Sequence, residues 1–238
     1  MKKILALTLV VLMCATMLVA CGGDVVYTGT TEKTDATSSE NGGNNMNTDA
    51  LLNMNDIEVA DVTDIDDEYA TRDPEKGETV AILHTSMGDI SMRFLDKVAP
   101  LATNNFIALS EAGRYDKTIF HRVINNFMIQ GGDYTNFNGT GGVSAYGTEF
   151  PNEVSEYASN VRGSVAMANA GPDTNGSQFY INQNRDDNTY LDGGYTVFGW
   201  VYDGMDVVDA IAGVQTASGD RPLEDVVLEY VEIMEYEG

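Results

Sequence analysis

Apolar and polar positions fall into three regimes along this 238-residue chain. An apolar run from Ile4 to Val19 follows Lys2 and Lys3 and gives way to small residues before Cys21. From residue 22 to about 76 the chain is rich in Gly, Ser, Thr, Asn and Asp, and Ile57, Val59, Val62 and Ile65 follow no fixed period. From Gly77 onward short alternating segments set in. TVAILHTSMGDISMRFL reads as two strands around a turn at 86–89. APLATNNFIALSEAGRY reads as a helix, with Pro100 near its start, Ala102, Phe106 and Leu109 on one face, and Gly113 suited to its end. Strands between glycine-rich loops follow in TIFHRVI, FMIQGGD, GSVAMAN, QFYINQ and YTVFGWVY. A second helix is predicted over 205–212, ending at Gly213, and PLEDVVLEYVEIMEYE reads as a closing strand. Many strands with two helices predict a mainly β domain, a closed or nearly closed antiparallel sheet with helical caps.

The leader has the layout of an export signal: a positive start, an apolar stretch and small residues at the end. It is too short and wrongly flanked for a membrane-spanning helix, which needs roughly 20 apolar residues. Leu18-Val19-Ala20-Cys21 resembles the lipobox of bacterial lipoproteins, which implies cleavage before Cys21 and lipidation, including palmitate, of its thiol. The alternative is an ordinary signal peptide with a chance cysteine. The expected organisation is therefore 1–20 signal peptide, 21–76 lipid-anchored, acidic linker, and 77–238 folded domain; residues 56–73 could form a short strand or helix against the domain, though disorder is favoured. Two or three acyl chains anchor firmly where one does not. A flexible linker of this length spans about 40 Å, enough to hold a domain clear of the membrane. The expected location is extracytoplasmic, anchored by lipid to a bacterial membrane.

Composition narrows the chemistry. Cys14 and Cys21 are the only cysteines, so the exported part keeps no thiol for a disulfide, a thiolate metal site or a nucleophile. Two histidines without cysteine partners give no metal-site spacing, and neither metal nor cofactor is expected. Lys and Arg number 13 against 37 Asp and Glu, a net charge of -24, which disfavours nucleic acid and anionic headgroups as partners. The glycines of 139–142 lack the following Lys and Ser/Thr of a phosphate-binding loop. Against this acidic background Arg122 stands out, set among apolar residues in FHRVINNFMIQGGD. A charge in such company needs a partner or a task, because desolvating it is costly.

Four segments, FHRVINNFMIQGGDYTNFNGTGG, SAYGTEFPNE, GSVAMANAGPDTNGSQFYIN and LDGGYTVFGWVYDGMDVV, together closely resemble the cyclophilin family of peptidyl-prolyl cis/trans isomerases. The resemblance runs from about Thr79 to the C-terminus. It implies an eight-stranded antiparallel β-barrel capped by two α-helices, acting on X-Pro bonds without a cofactor. It implies a catalytic role for Arg122. It also implies substrate contacts from Phe127, Met128, Gln130, Gly139, Ala168, Asn169, Ala170, Gln178, Tyr180, Tyr190, Leu191 and Tyr195. Three positions depart from the eukaryotic pattern: Tyr180 for a pocket phenylalanine, Tyr190 for a tryptophan and Tyr195 for a histidine. The changes at Tyr190 and Tyr195 should weaken cyclosporin binding without removing activity. Tyr180 would place a hydroxyl at the rim or floor of an apolar pocket.

Strand alternation predicts Phe120, Arg122 and Ile124 on one face with His121 and Val123 behind, and Gln178 and Tyr180 opposite Phe179. His121 reads as structural and Trp200 as barrel packing or a surface aromatic. The expected partners are proline-containing segments of unfolded or exported polypeptides. A second reading is a non-catalytic module that holds such segments as a chaperone or scaffold. A third has the acidic linker recruit basic partners.

Overall fold

The computed structural model of the protein describes residues 51–238 apart from positions 61, 63, 64 and 67. The leader, Cys21 and the linker up to residue 50 lie outside the described residues.

The alternating run at the start of the domain forms β1 (Thr79–Thr85) and β2 (Gly88–Phe94), paired antiparallel from Val80↔Arg93 to Thr85↔Gly88. Ala81, Leu83, Ile90 and Met92 turn into the core, as the period of two requires. Helix α1 (Pro100–Glu111) begins at its proline. Its end is a Schellman closure on Gly113, at φ 63°: the Gly113 N–H donates to the Ser110 carbonyl and the Arg114 N–H to that of Leu109. Ala99 offers no side-chain cap at the other end, and Glu153 accepts there from the N–H groups of Leu101 (2.8 Å) and Ala102 (2.9 Å). Phe106 of this helix meets Phe94, Tyr115, Phe179 and Phe198 at centroid separations from 4.9 to 5.9 Å, the aromatic centre of the core.

The remaining strands are β3 (Thr118–Ile119), β4 (Arg122–Ile124), β5 (Met128–Gly131), β6 (Ser164–Met167), β7 (Phe179–Asn182), β8 (Val197–Asp203) and β9 (Val227–Glu235). Helix α2 (Met205–Ala212) lies between the last two and buries Val208, Ile211 and Ala212. The sheet order is β3-β9-β1-β2-β8-β6-β7-β5-β4, and every pairing is antiparallel. Its two edge strands are consecutive in the chain, separated only by Phe120 and His121. The chain therefore curls the sheet shut, with Phe120 N–H bonded to Val226 O (3.0 Å) and Val123 N–H to Asp220 O (2.8 Å) across the seam.

The expected barrel with two helices is the observed architecture. The strand count is nine rather than eight because the segment 118–124 is broken at Phe120–His121. That break also corrects the expected alternation. Phe120 sits in the core against the edge of Phe179, while Arg122 faces outward.

Among the described residues of 51–76, several pack against the domain, the less favoured of the two outcomes weighed for 56–73. Leu51 and Leu52 donate to the Ala145 carbonyl at 2.7 and 3.1 Å, and Leu52, Met54 and Ile57 pack on the core. Ile65, Tyr69 and Ala70 are buried. Tyr69 covers Arg93 of β2, with the guanidinium 4.8 Å from the ring centroid and donating to the Tyr69 carbonyl. Its hydroxyl donates to Asp96 (3.1 Å) and accepts from the Lys97 N–H (3.2 Å). A two-pronged pair from Arg72 to Glu78 fastens the end of this strap. Composition missed it because its apolar anchors are few and its main partner, Arg93, lies on another element.

Candidate active site

Three strands place one residue each in a row on the outer face of the barrel. The pairings Arg122↔Gln130 between β4 and β5, and Gln130↔Tyr180 between β5 and β7, put these side chains next to one another. Ala166 of β6 is paired with Tyr180 and continues the row. A cavity of about 340 Å³ opens over it. Its apolar lining includes Phe127, Met128, Ala168, Tyr180, Leu191 and Tyr195, and its polar lining includes Arg122, Gln130, Asn169 and His121.

Arg122 is half exposed and held loosely. Its Nε lies 3.6 Å from Asp220 Oδ2, and both side chains are open to water. The loop carrying Asp220 also brings Gly219 to the cavity edge. The main-chain bond from Val123 to Asp220 fixes that loop beside the arginine. The guanidinium can therefore swing toward a group in the cavity at little cost, since an exposed pair at this distance is worth about 0–1 kcal/mol.

Gln130 is set by a relay. Its Nε2 donates to Gln178 Oε1 at 3.0 Å, and Gln178 Nε2 donates to the carbonyls of Gly139 (3.0 Å) and Gly141 (2.7 Å). The loop bearing these glycines winds around Asp133. That carboxylate accepts from the N–H groups of Thr135, Asn136, Asn138, Gly139 and Gly141 at 2.9–3.2 Å. Burial alone would raise the Asp133 pKa, but the amide donors win and hold it at about 2. Gly139 has φ 88°, and a Cβ there would come within 3.0 Å of the His121 ring, so the position needs glycine on both counts.

Tyr180 answers the question its hydroxyl raised. The ring forms the cavity floor, edge-on to Tyr195 at 5.7 Å, and only 5% of the residue is exposed. Its hydroxyl points away from the cavity and donates to Asn160 Oδ1 at 2.6 Å. Burial pushes the phenol far above its usual range, so it stays a protonated donor. The floor presented to a ligand is apolar.

His121, read as structural, lies at the edge of this cavity. It is buried, and neither ring nitrogen has a hydrogen-bond partner among the described residues. Burial lowers its pKa, Asp133 opposes that shift, and Arg221 and Arg122 reinforce it. The imidazole is neutral at pH 7.

Ala170 and Gln178 line a second cavity, of about 430 Å³, which shares Gln130, Gly139, Ala168 and Asn169 with the first. Glu149 sits on its wall. The Asn169 amide is committed to the Gly194 carbonyl at 2.9 Å. Tyr190 lines neither cavity and is 72% exposed. The sequence reading did not anticipate Asn138, Gly219, Asp220 or Asn160. Asn138 adjoins the glycine loop and was within reach of a motif reading, whereas the other three come from loops that carry no motif. Glu153, whose carboxyl burial raises to about 7, serves helix α1 and is absent from both cavities. Among the described residues no cluster of His, Cys, Asp or Glu is disposed to hold a metal ion, and no helix is long and apolar enough to cross a membrane.

Residues 80–233 match the family profile described as cyclophilin type peptidyl-prolyl cis-trans isomerase/CLD. A Staphylococcus aureus protein assigned as a peptidyl-prolyl cis-trans isomerase is 37% identical over 190 residues, covering 69% of this chain and 96% of its own length. Peptidyl-prolyl cis-trans isomerase 9 of Schizosaccharomyces pombe is 49% identical over 145 residues, 60% of this chain and 23% of that protein. Among solved structures, a Cryptosporidium parvum cyclophilin type peptidyl-prolyl cis-trans isomerase superposes with a TM-score of 0.64 at 32% identity, covering 67% of this chain and 99% of the other. The same protein crystallised in the presence of the dipeptide Ala-Pro gives 0.63 at 33% identity, covering 66% and 99%.

Proposed function

The chain belongs to the cyclophilin-type peptidyl-prolyl cis-trans isomerases, and we propose that it turns X-Pro bonds in the cavity above Tyr180 with Arg122 as the catalytic residue. The observation that carries this reading is the row Arg122–Gln130–Tyr180, which sets a mobile cation and a fixed amide at the rim of an apolar floor. The unaided rotation meets a barrier of roughly 18–20 kcal/mol, because the proline nitrogen shares its lone pair with the carbonyl. In the twisted transition state that pair is localised on nitrogen. A guanidinium donor aimed at it binds the twisted form better than the planar one. Arginine suits the task, being always protonated and only weakly hydrated. A millionfold acceleration needs about 8 kcal/mol, more than one hydrogen bond supplies. The rest falls to the pocket. Phe127, Met128, Leu191 and Tyr180 grip the proline ring while Gln130 and the main chain of Asn169 hold the peptide. The second cavity, with Ala170, Gln178 and Glu149, takes residues flanking the proline. No nucleophile, metal or proton transfer enters.

The leader and Cys21 support a lipid-anchored, extracytoplasmic setting in which the clients are exported polypeptides. Metabolic labelling with palmitate, lost on Cys21→Ala, tests that setting. The activity is tested by exchange NMR on a short X-Pro peptide with the full chain. Accelerated cis/trans exchange supports the isomerase. Binding without acceleration favours the holding module instead.

A further inference from the structure

Beneath the cavity, Asn160 is fully buried and engages with its main chain and both side-chain atoms. Its Oδ1 accepts from the Tyr180 hydroxyl (2.6 Å) and from Asn182 Nδ2 (3.3 Å). Its N–H and its Nδ2 both donate to Asp192 Oδ1, at 2.7 and 2.9 Å. Its carbonyl accepts from the Asn188 N–H at 2.7 Å. The two sides of this node lead to two different walls of the cavity. One is Tyr180, the floor. The other is the 3-10 turn Thr189–Leu191, which hangs from Asn188 through the Leu191 N–H (2.8 Å) and is followed directly by Asp192. Leu191 is the wall that turn presents. Asp192 itself is exposed, bonds Ser159 through its second oxygen and does not line the cavity.

We propose that Asn160 is a positioning residue that yokes the floor to the Leu191 wall, and that the exposed Asp192 sets the width of the pocket through it. The proposal rests on reading the cavity as the proline pocket. A phenyl ring at position 180 would fill the floor equally well but would have no link to Asn160. The tyrosine hydroxyl therefore has a use that pocket polarity does not explain. The ionised Asp192 makes charge-assisted bonds, stronger than neutral ones, so the far end of the yoke is the firm one. Without it both Asn160 donors lose their acceptor, and only the main-chain bond from Asn188 to the Asn160 carbonyl still ties the floor to the wall.

The test uses the full chain as wild type, Tyr180→Phe, Asp192→Ala, the double variant and Asp192→Asn. Each is checked for folding by thermal melt and assayed on an X-Pro peptide. Each of the first two substitutions should raise KM about fivefold with kcat kept within about twofold. The double variant should be no worse than the poorer single one, because both changes weaken the same link through Asn160. Asp192→Asn, which keeps a neutral oxygen toward Asn160, should recover part of the KM lost in Asp192→Ala. The Leu191 methyl resonances should shift in Tyr180→Phe, although the two side chains belong to different elements. Multiplying KM effects in the double variant, or a Tyr180→Phe protein that only melts lower, would overturn the proposal. If folded wild type binds the peptide without turning it over, the catalytic reading fails alone. Peptide affinities in the same five proteins then read the yoke by the same criteria.

Discussion

Replacing Arg122 by alanine should separate catalysis from stability. The side chain is 43% exposed and its one ion pair, to Asp220, spans 3.6 Å between two solvated groups. Such a pair contributes about 0–1 kcal/mol, so the melting temperature should fall by no more than a few degrees. Catalysis should fall far more. A single donor directed at charge that develops only in the transition state is worth about 2.7–4 kcal/mol, or 10²–10³ in kcat. The loss should appear in kcat with KM little changed, since the planar peptide does not use the donor fully. Arg122→Lys keeps the charge but not the planar fork and should recover only part of the rate. The assay is cis-to-trans conversion of a chromogenic X-Pro peptide, run beside a thermal melt of each variant. A folded Arg122→Ala protein within threefold of wild type would refute the role. So would inactivation that merely tracks a collapse of the fold, since Arg122 would then be structural.

Three further outcomes follow from the same geometry. Arg122 carries no proton in the mechanism and burial lowers the His121 pKa, so turnover on an uncharged peptide should be flat between pH 7 and 9; a steep titration in that window would implicate His121. Asp133 is held at about 2, below the unfolded value near 3.9, so its stabilisation of about 2.5 kcal/mol is fully present above about pH 5 and is lost as pH falls through 2. Asp133→Asn should therefore cost about that much in a denaturant titration at pH 7, with a gap that narrows on acidification, and a pH-independent gap would contradict the cause assigned here. A fragment starting at residue 51 should melt with the full chain, whereas one starting at 77 loses the Tyr69 cover of Arg93 and should melt roughly 5–10 °C lower. Equal melting of the two fragments would mean the strap adds nothing.

Much of the fold was legible because its signals are local. The hairpin over 79–94, the helix begun by Pro100 and closed by Gly113, and the helix over 205–212 each follow from spacing and end residues within a dozen positions. The strap was illegible for the converse reason. Tyr69 looks like one aromatic in a polar stretch until β2 brings Arg93 beneath it. Of the site residues expected from sequence, most line one of two adjoining cavities, and Tyr190 lines neither. The alternation argument placed Arg122 outward correctly but failed at Phe120, because a strand that bends to close a barrel does not keep its period through the bend.

The sequence by itself determined the family, the mainly β class with two helices, and most of the residues that line the two cavities of the candidate site, because each is written in contiguous motifs or short periods. Tertiary structure alone decided the rest. It closed the sheet through two residues, aligned Arg122, Gln130 and Tyr180 across three strands, set Asp220 beside the arginine and turned the Tyr180 hydroxyl down onto Asn160. Those contacts join segments about a hundred positions apart, as between Phe120 and Val226 across the seam and between Arg122 and Asp220. Strand register and loop packing determine them, and neither follows from the pattern of a segment taken alone.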